Sequence, residues 1–333
     1  MQEEEVIIIG AGPCGLSAAI ECQNLGMNPL LIEKENIVSS ISHYPTHQRF
    51  FSSSDRLEIG GIPFPSVERK PKRAEALAYY REVSQRKHLR INAYEKVTKV
   101  IRTEQGEFEL FTADPHNNIA AYSCSYLILA TGYYNHPNKL HVEGEELPHV
   151  FHYFKEAHPY FQKNVVVIGG KNSAVDATLE LEKAGANVTV LYRGEDISDD
   201  VKPWILPEFR SLERKKNIQV RYDAEVTAIN EHYVYFQSGE AHEKVQADFV
   251  FAMTGYHPDH AMLQRIGVQV DEKTGRPYVE DTTMETNITN IYIAGVLAAG
   301  NNANEIFIEN GRHHGERIAA SIKQKALLSH RDE

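Results

Sequence analysis

Two stretches of the chain repeat one pattern of apolar and polar positions. The first is an apolar run, Val6-Ile7-Ile8-Ile9, then the turn Gly10-Ala11-Gly12-Pro13-Cys14-Gly15, then the helical pattern Leu16-Ser17-Ala18-Ala19-Ile20. The second is Val165-Val166-Val167-Ile168, then Gly169-Gly170-Lys171-Asn172-Ser173-Ala174, then Val175-Asp176-Ala177-Thr178-Leu179. Each leads to a second apolar run, at 29–33 and at 188–193. Short apolar runs bounded by turn residues predict buried strands, and the pattern as a whole predicts strand–helix–strand twice, about half a chain apart. Two further apolar runs end in a Thr-Gly pair, at 126–132 and 249–255, and a last strand at 291–295 precedes a Gly/Asn-rich loop and a helix from about Asn304. Alternating stretches predict β-ribbons at 94–101 with 108–112 and at 226–230 with 233–236, and 72–86 reads as a helix. Pro and Gly clusters at 59–65 and 135–137 mark loops or hinges.

The length of 333 residues suits two domains, each with its own core. Charge narrows the partners. With 35 Lys and Arg against 46 Asp and Glu, the net charge of -11 argues against nucleic acid or anionic membrane. The basic runs at 69–73 and 214–216 read as solvated faces. The acidic start lacks the positive region of a signal peptide, and no apolar run approaches the ~18 residues needed to span a bilayer. A cytoplasmic protein is expected. The cysteines Cys14, Cys22 and Cys124 are too few and too scattered for a disulfide framework. No metal-ligand spacing occurs among the 16 histidines, and no metal is expected.

The turns carry the candidate chemistry. The first follows a strand, opens a helix, and is followed 23 residues after Gly10 by Glu33 at a strand end. That is the full context of a dinucleotide fingerprint. Gly10 allows the tight turn, Gly12 lets backbone approach a pyrophosphate, and Gly15 lets helix and sheet pack closely. Glu33 can accept hydrogen bonds from ribose hydroxyls and would repel a 2′-phosphate, which selects FAD or NAD. The second turn has Lys171 at the second glycine position and Ala174 at the third. Its following strand ends in Arg193, 24 residues after Gly169, where a cation suits the 2′-phosphate of NADP. Two dinucleotide sites of opposite 2′ preference imply an electron relay from NADPH to a flavin.

With both turns, both Thr-Gly strand ends and Ile293-Ala294-Gly295 in place, the chain resembles the flavoproteins with two dinucleotide-binding domains, in the order of the low-molecular-weight thioredoxin reductases. The resemblance implies an α/β fold of two Rossmann-like dinucleotide-binding domains, the second inserted into the first. It implies an FAD-binding domain at 1–140 and 258–333 and an NADPH-binding domain at 141–257. Neither dithiol of that class is present: 149–154 before the second turn lacks a CxxC, and 39–44 lacks a CxxxxC. The usual Asp after the last strand is Val296, which leaves backbone, Asn301 or Asn302 to face the flavin ribityl chain.

The first turn, the segments 50–54 and 59–64, and Gly169-Gly170-Lys171-Asn172-Ser173-Ala174 are similar to the bacillithiol disulfide reductase family of bacilli and staphylococci. That resemblance implies an FAD enzyme that uses NADPH to reduce a small-molecule disulfide, with one cysteine taking part. With the charge balance, no nucleic acid or membrane partner is expected, and a homo-oligomer is expected. Beside the two turns, Glu33 and Arg193, cofactor-binding positions are expected at Lys34, Gln48, Val97, Thr131, Gly132, Thr254, Gly255, Gly295, Glu305 and Ile306. The alternatives are a flavin monooxygenase and a ferredoxin- or flavodoxin-NADP reductase of thioredoxin-reductase type.

Cys14 is the candidate catalytic residue. A helix N-terminus favours its thiolate and a nearby pyrophosphate opposes it, so the sign of the shift is open. Cys22 is eight residues along the same helix, about 12 Å away at 1.5 Å per residue, too far for a disulfide. A cysteine that acts would therefore act alone, through a mixed disulfide with half of the substrate. The other reading is that Cys14 fills the space of a small residue.

Overall fold

The computed structural model describes all residues except Asp199, Ala303 and 330–333. The chain divides into two compact units. One comprises Met1–Ser42, Gln48–His136 and His257–Glu333, the other His43–His47 and Pro137–Tyr256.

The first unit is built on a seven-stranded sheet. Its central strand, Gln2–Ile9, pairs in parallel with Leu30–Glu33 on one side and with Ile119–Leu129 on the other. Leu30–Glu33 continues in parallel to Arg90–Ala93. The long strand Ile119–Leu129 serves two partners. Its first half pairs antiparallel with Phe108–Ala113, which pairs in turn with Lys96–Arg102, and its second half pairs in parallel with Ile291–Ile293. Ile7, Ile9, Leu127, Leu129, Ile291 and Ile293 form a buried cluster on one face. The central strand starts four residues earlier than its apolar run. The acidic Glu4 is accommodated by Arg90, whose guanidinium donates to both carboxylate oxygens at 2.6 and 2.7 Å and holds Glu4 below the usual carboxylate range.

Helix Pro13–Asn24 packs against helix His314–Ser329. A side chain on Gly315 would come within 2.7 Å of the Ala18 Cα, so the two backbones meet at that glycine. The C-terminal helix does not begin near Asn304. Asn302 Oδ1 accepts from the Asn304 N–H, and Asn310 Oδ1 accepts from the Phe307 N–H. Such side-chain bonds compete with helical ones and hold the chain in turns. Helical structure runs instead as Ile308–Gly311 and His314–Ser329.

The second unit has a parallel five-stranded sheet in the order Gln219–Arg221, Asn187–Leu191, Asn164–Ile168, Phe249–Ala252, Val150–Phe151. An antiparallel sheet of Ala224–Ile229, Tyr233–Ser238 and Ala241–Gln246 adjoins it in sequence. Helices Asn172–Lys183 and Leu206–Arg214 bury Val175, Leu179, Leu181 and Phe209 in the core formed with Val165, Val167, Val188 and Val190. Among the described residues no helix is long and apolar enough to cross a membrane, and no group of three or more His, Cys, Asp or Glu could hold a metal ion.

Candidate functional site

In the first unit the turn between Gln2–Ile9 and Pro13–Asn24 lies against the end of Ile119–Leu129. The Gly10 N–H donates to the Ile32 carbonyl at 2.9 Å, and the Ala130 N–H donates to the Ile9 carbonyl at 2.8 Å. Gly10 has φ +106, and a Cβ there would sit 2.5 Å from the Ala130 carbonyl oxygen. A Cβ on Gly15 would sit 2.1 Å from the Gly10 carbonyl oxygen. Both glycines are demanded by the protein's own backbone. Gly12 is not: its φ of −74 suits any residue, and nothing lies within 4 Å of where its Cβ would be. The open space lies beside a helix N-terminus that has Pro13 in its first turn and no side-chain cap. Such a cradle fits the pyrophosphate of a dinucleotide, which takes hydrogen bonds from the unpaired first-turn N–H groups.

Glu33 is 6% exposed. Its carboxylate accepts from the Ala11 N–H at 2.9 Å and from the Glu35 N–H at 3.0 Å. A carboxylate has about four acceptor positions, so two remain for ribose hydroxyls. Lys34 is exposed beside it. Thr131 and Gly132 follow the strand adjoining Gly10, and Gly132 has φ +68 with open space at its Cα.

The Cys14 sulfur is held in a slot. A Cβ on Gly295 would meet it at 2.8 Å and a Cβ on Gly311 at 3.0 Å, and Ile306 lies 3.1 Å from the same Gly311 position. The slot exists because both neighbours are glycine. Cys14 is partly exposed, yet the atoms packed around its sulfur push the thiol up to about 12 in this arrangement. Cys22 and Cys124 are core residues at 0% and 2% exposure, and burial is the main reason each is also pushed up to about 12. All three cysteines are free.

The other expected positions have these surroundings. Gln48 turns its side-chain amide to the Arg49 carbonyl at 2.8 Å. Val97 borders a bulge opposite Thr112. Glu305 is exposed and ion-paired with Arg276, although the adjacent Ile306 reaches the slot. Asn301 lies against Gly275, and Asn302 donates to Glu305 at 3.3 Å.

The second unit repeats the geometry with other side chains. Gly169 has φ +139, and a Cβ there would sit 2.4 Å from the Met253 carbonyl oxygen, as Gly10 meets Ala130. Ala174 is 1% exposed and fits at the third glycine position. A Cβ on Gly170 would strike the ring of Tyr192 at 2.5 Å, and one on Gly194 would meet it at 2.7 Å, so that ring lies between two glycines. Lys171 precedes helix Asn172–Lys183, and its ammonium reaches Asp200 at 2.9 Å. Asn172 donates to the Asp200 carbonyl at 3.0 Å and accepts from the Lys202 N–H at 2.9 Å. Ser173 is exposed. Arg193 is exposed too, and it has no hydrogen-bond or ion-pair partner among the described residues. Thr254 donates to the Asn138 carbonyl at 2.5 Å, and the Asn138 amide returns a bond to the Thr254 carbonyl at 3.0 Å, beside Gly255 at φ +89.

Residues 7–295 match the model of the pyridine nucleotide-disulphide oxidoreductases. The chain belongs to that family. Within it, the chain is 58% identical over 326 residues to the bacilliredoxin reductase Bdr of Bacillus subtilis, covering 98% of this chain and 99% of that protein. The solved bacillithiol disulfide reductase Bdr (YpdA) of Bacillus cereus superposes with a TM-score of 0.96 at 57% identity, over 97% of this chain and 100% of that one. The corresponding Staphylococcus aureus structure gives 0.93 at 54%, over 98% and 99%. The protein is thus an oxidoreductase of a flavin- and pyridine-nucleotide-using family. Gly311, and His314 except as half of a histidine pair that cannot share one helix face, were not singled out in the sequence, nor were Tyr192, Asp200 and Asn138. The one signal for the first two is the run Gly311-Arg312-His313-His314-Gly315, where two glycines flank a histidine pair.

Proposed function

We propose that this oxidoreductase binds FAD at the Gly10–Gly15 turn and NADPH at the Gly169–Ala174 turn, and reduces bacillithiol disulfide in the cytoplasm. The observation that supports the substrate is the near-full-length 57% identity, at a TM-score of 0.96, to a solved bacillithiol disulfide reductase. On this reading the first unit corresponds to the FAD domain at 1–140 and 258–333, and the second to the NADPH domain at 141–257. Glu33 holds the FAD ribose by its free acceptor positions, and the open face of Gly12 admits the pyrophosphate. Arg193 takes the 2′-phosphate of NADPH.

NADPH held at the Gly169–Ala174 turn would supply two electrons as a hydride, and FAD held at the Gly10–Gly15 turn would supply the two-electron carrier between it and the disulfide. Overall, NADPH, a proton and one disulfide become NADP⁺ and two thiols. Cys14 attacks one sulfur of the substrate as a thiolate, the S–S bond breaks, and the other half leaves as a thiolate that takes a proton. Two electrons and a further proton then release the second half and restore Cys14. Cys14 is partly exposed, and its thiol must lose a proton before it attacks.

NADPH oxidation by purified holoenzyme against bacillithiol disulfide, ferredoxin and oxygen tests the reading. Turnover is expected with the disulfide alone. Cys14→Ala should keep FAD and its reduction by NADPH, and lose disulfide turnover by orders of magnitude. A Cys14→Ala enzyme with intact turnover would reduce Cys14 to a packing residue.

A further inference from the structure

The strand ends that follow the two turns correspond residue by residue, and the correspondence falls on Tyr192. In the first unit Ile9 pairs with Ile32, and the Gly10 N–H donates to the Ile32 carbonyl at 2.9 Å. In the second, Ile168 pairs with Leu191, and the Gly169 N–H donates to the Leu191 carbonyl at 2.9 Å. Strand register and turn agree, so the counterpart of Glu33 is Tyr192, and Arg193, one position on, is the counterpart of Lys34. Ala11 and Gly170 correspond likewise, each following the first glycine of its turn.

The counterparts act differently on their turns. Glu33 brings its carboxylate to the Ala11 N–H at 2.9 Å. Tyr192 lays its ring over Gly170 instead. A Cβ on Gly170 would sit 2.5 Å from Cγ and 2.6 Å from Cδ1 and Cδ2, and one on Gly194 would sit 2.7 Å from Cε1 and 3.0 Å from Cζ. Neither glycine lies in the left-handed region, so the hand of the backbone does not call for glycine at either position. The ring does, because it fills the space of both side chains. Gly170 is held in turn by Ser198, whose N–H donates to its carbonyl at 3.2 Å. The Tyr192 ring is partly buried, and its hydroxyl has no hydrogen-bond partner among the described residues.

We infer that Tyr192 is a specificity-determining residue of the pyridine-nucleotide site: a neutral ring, seated by Gly170 and Gly194 where the first unit has a carboxylate, admits a 2′-phosphate that an acid there would repel. The inference rests on the reading of the second turn as the NADPH site and divides that preference between two side chains. A carboxylate at this position takes the 2′-hydroxyl of NADH and opposes the phosphate of NADPH. A phenol is neutral at pH 7, and its free hydroxyl can donate to a phosphate oxygen. Arg193 adds attraction, and Tyr192 removes repulsion.

The test is reduction of the FAD-bound enzyme by NADPH and by NADH, followed at the flavin absorbance, in Tyr192→Glu and Tyr192→Gln. Both variants lose the ring, and they differ from each other only in charge. In Tyr192→Glu the apparent KM for NADPH should rise about tenfold or more, while that for NADH stays level or falls, with Arg193 intact. Tyr192→Gln should keep the wild-type preference within a factor of about three, because it brings no charge to the phosphate. A Tyr192→Glu enzyme with the wild-type preference would overturn the inference. So would a Tyr192→Gln enzyme whose preference moves as far as that of Tyr192→Glu, since charge would then not be the cause. Failure of the underlying reading is a separate result, visible in the wild type itself as a flavin that NADPH does not reduce, and it would overturn both.

Discussion

The two glycine-rich turns share a backbone and differ in what fills it. In each, a glycine at positive φ presses on a neighbouring strand end, Gly10 on Ala130 and Gly169 on Met253. That requirement comes from the strand–turn–helix path and is the same in both. The third position differs. A Cβ at Gly15 would strike the Gly10 carbonyl oxygen, whereas the methyl of Ala174 is accommodated. The second position differs most, since Gly12 leaves space open and Lys171 fills it with an ammonium tied to Asp200. The following strand ends complete the contrast: a buried carboxylate at Glu33, and an exposed, unpartnered guanidinium at Arg193 among the described residues. On the proposed reading, topology fixes where a dinucleotide can lie, and these few side chains are what would decide which one.

The sharpest way to break the comparison is at the third position. Gly15→Ala places a methyl 2.1 Å from a backbone oxygen that cannot move without the sheet. It should cost more than about 3 kcal/mol, beyond the usual range for overpacking. The reverse change in the other turn, Ala174→Gly, opens no clash and should cost about 1 kcal/mol, the ordinary difference between Ala and Gly in a helix. Denaturant unfolding of the two variants measures both. Equal costs would mean that the turns are not packed as differently as their neighbours indicate.

Legibility in the sequence followed the same division. Both turns and their strands could be read because backbone geometry restricts them to glycine at fixed spacing beside apolar runs. What could not be read depends on tertiary partners. Nothing in the spacing places Asp200 beside Lys171, 29 residues away. The burial of His314, next to an exposed His313, follows from Gly315 meeting Ala18 across two helices. Likewise, the acidic residues of Gln2–Ile9 gave no strand signal, because Arg90 rather than an apolar face holds Glu4 in place. The edge strand Ala241–Gln246 was invisible for a related reason: it is largely exposed and carries no apolar alternation.

The units should also respond oppositely to acid. In the first, burial lowers the His314 pKa from 6.5 to about 4. Above pH 6.5 both folded and unfolded chains carry it neutral and its contribution is complete. Between pH 6.5 and about 4 the unfolded chain takes a proton that the folded one refuses, so stability falls, by about 3 kcal/mol in total. In the second unit, burial alone would lower the His47 pKa, but the hydrogen bond and charge of Asp176, 3.2 Å away, outweigh it and raise the value. That contribution is complete below 6.5 and is lost as pH rises through the raised pKa. Hydrogen exchange across pH 4–8 should show helix Pro13–Asn24 loosening in acid. Helix Asn172–Lys183 should show no such loss. His314→Gln should abolish the acid dependence of the first helix, and a variant that kept it would assign the effect to another group.

The smallest effect is the most specific to the second turn. If Arg193 is the cation that reads the 2′-phosphate, Arg193→Ala removes a charge-assisted hydrogen bond worth about 1.5–3 kcal/mol, or one to two decades in affinity. Its exposure places the value at the lower end, since water screens the pair. The apparent KM for NADPH should rise about tenfold, while that for NADH, which has no 2′-phosphate, stays within a factor of two. Flavin content should not change, because nothing in the first unit depends on this side chain. Lys171 supplies the control. Its ammonium is engaged by Asp200 at the turn itself, so Lys171→Ala should affect NADPH and NADH alike. A loss confined to NADPH in Lys171→Ala, with Arg193→Ala unchanged, would move the 2′-phosphate contact from the strand end to the turn, and the contrast between Glu33 and Arg193 would no longer explain the two preferences.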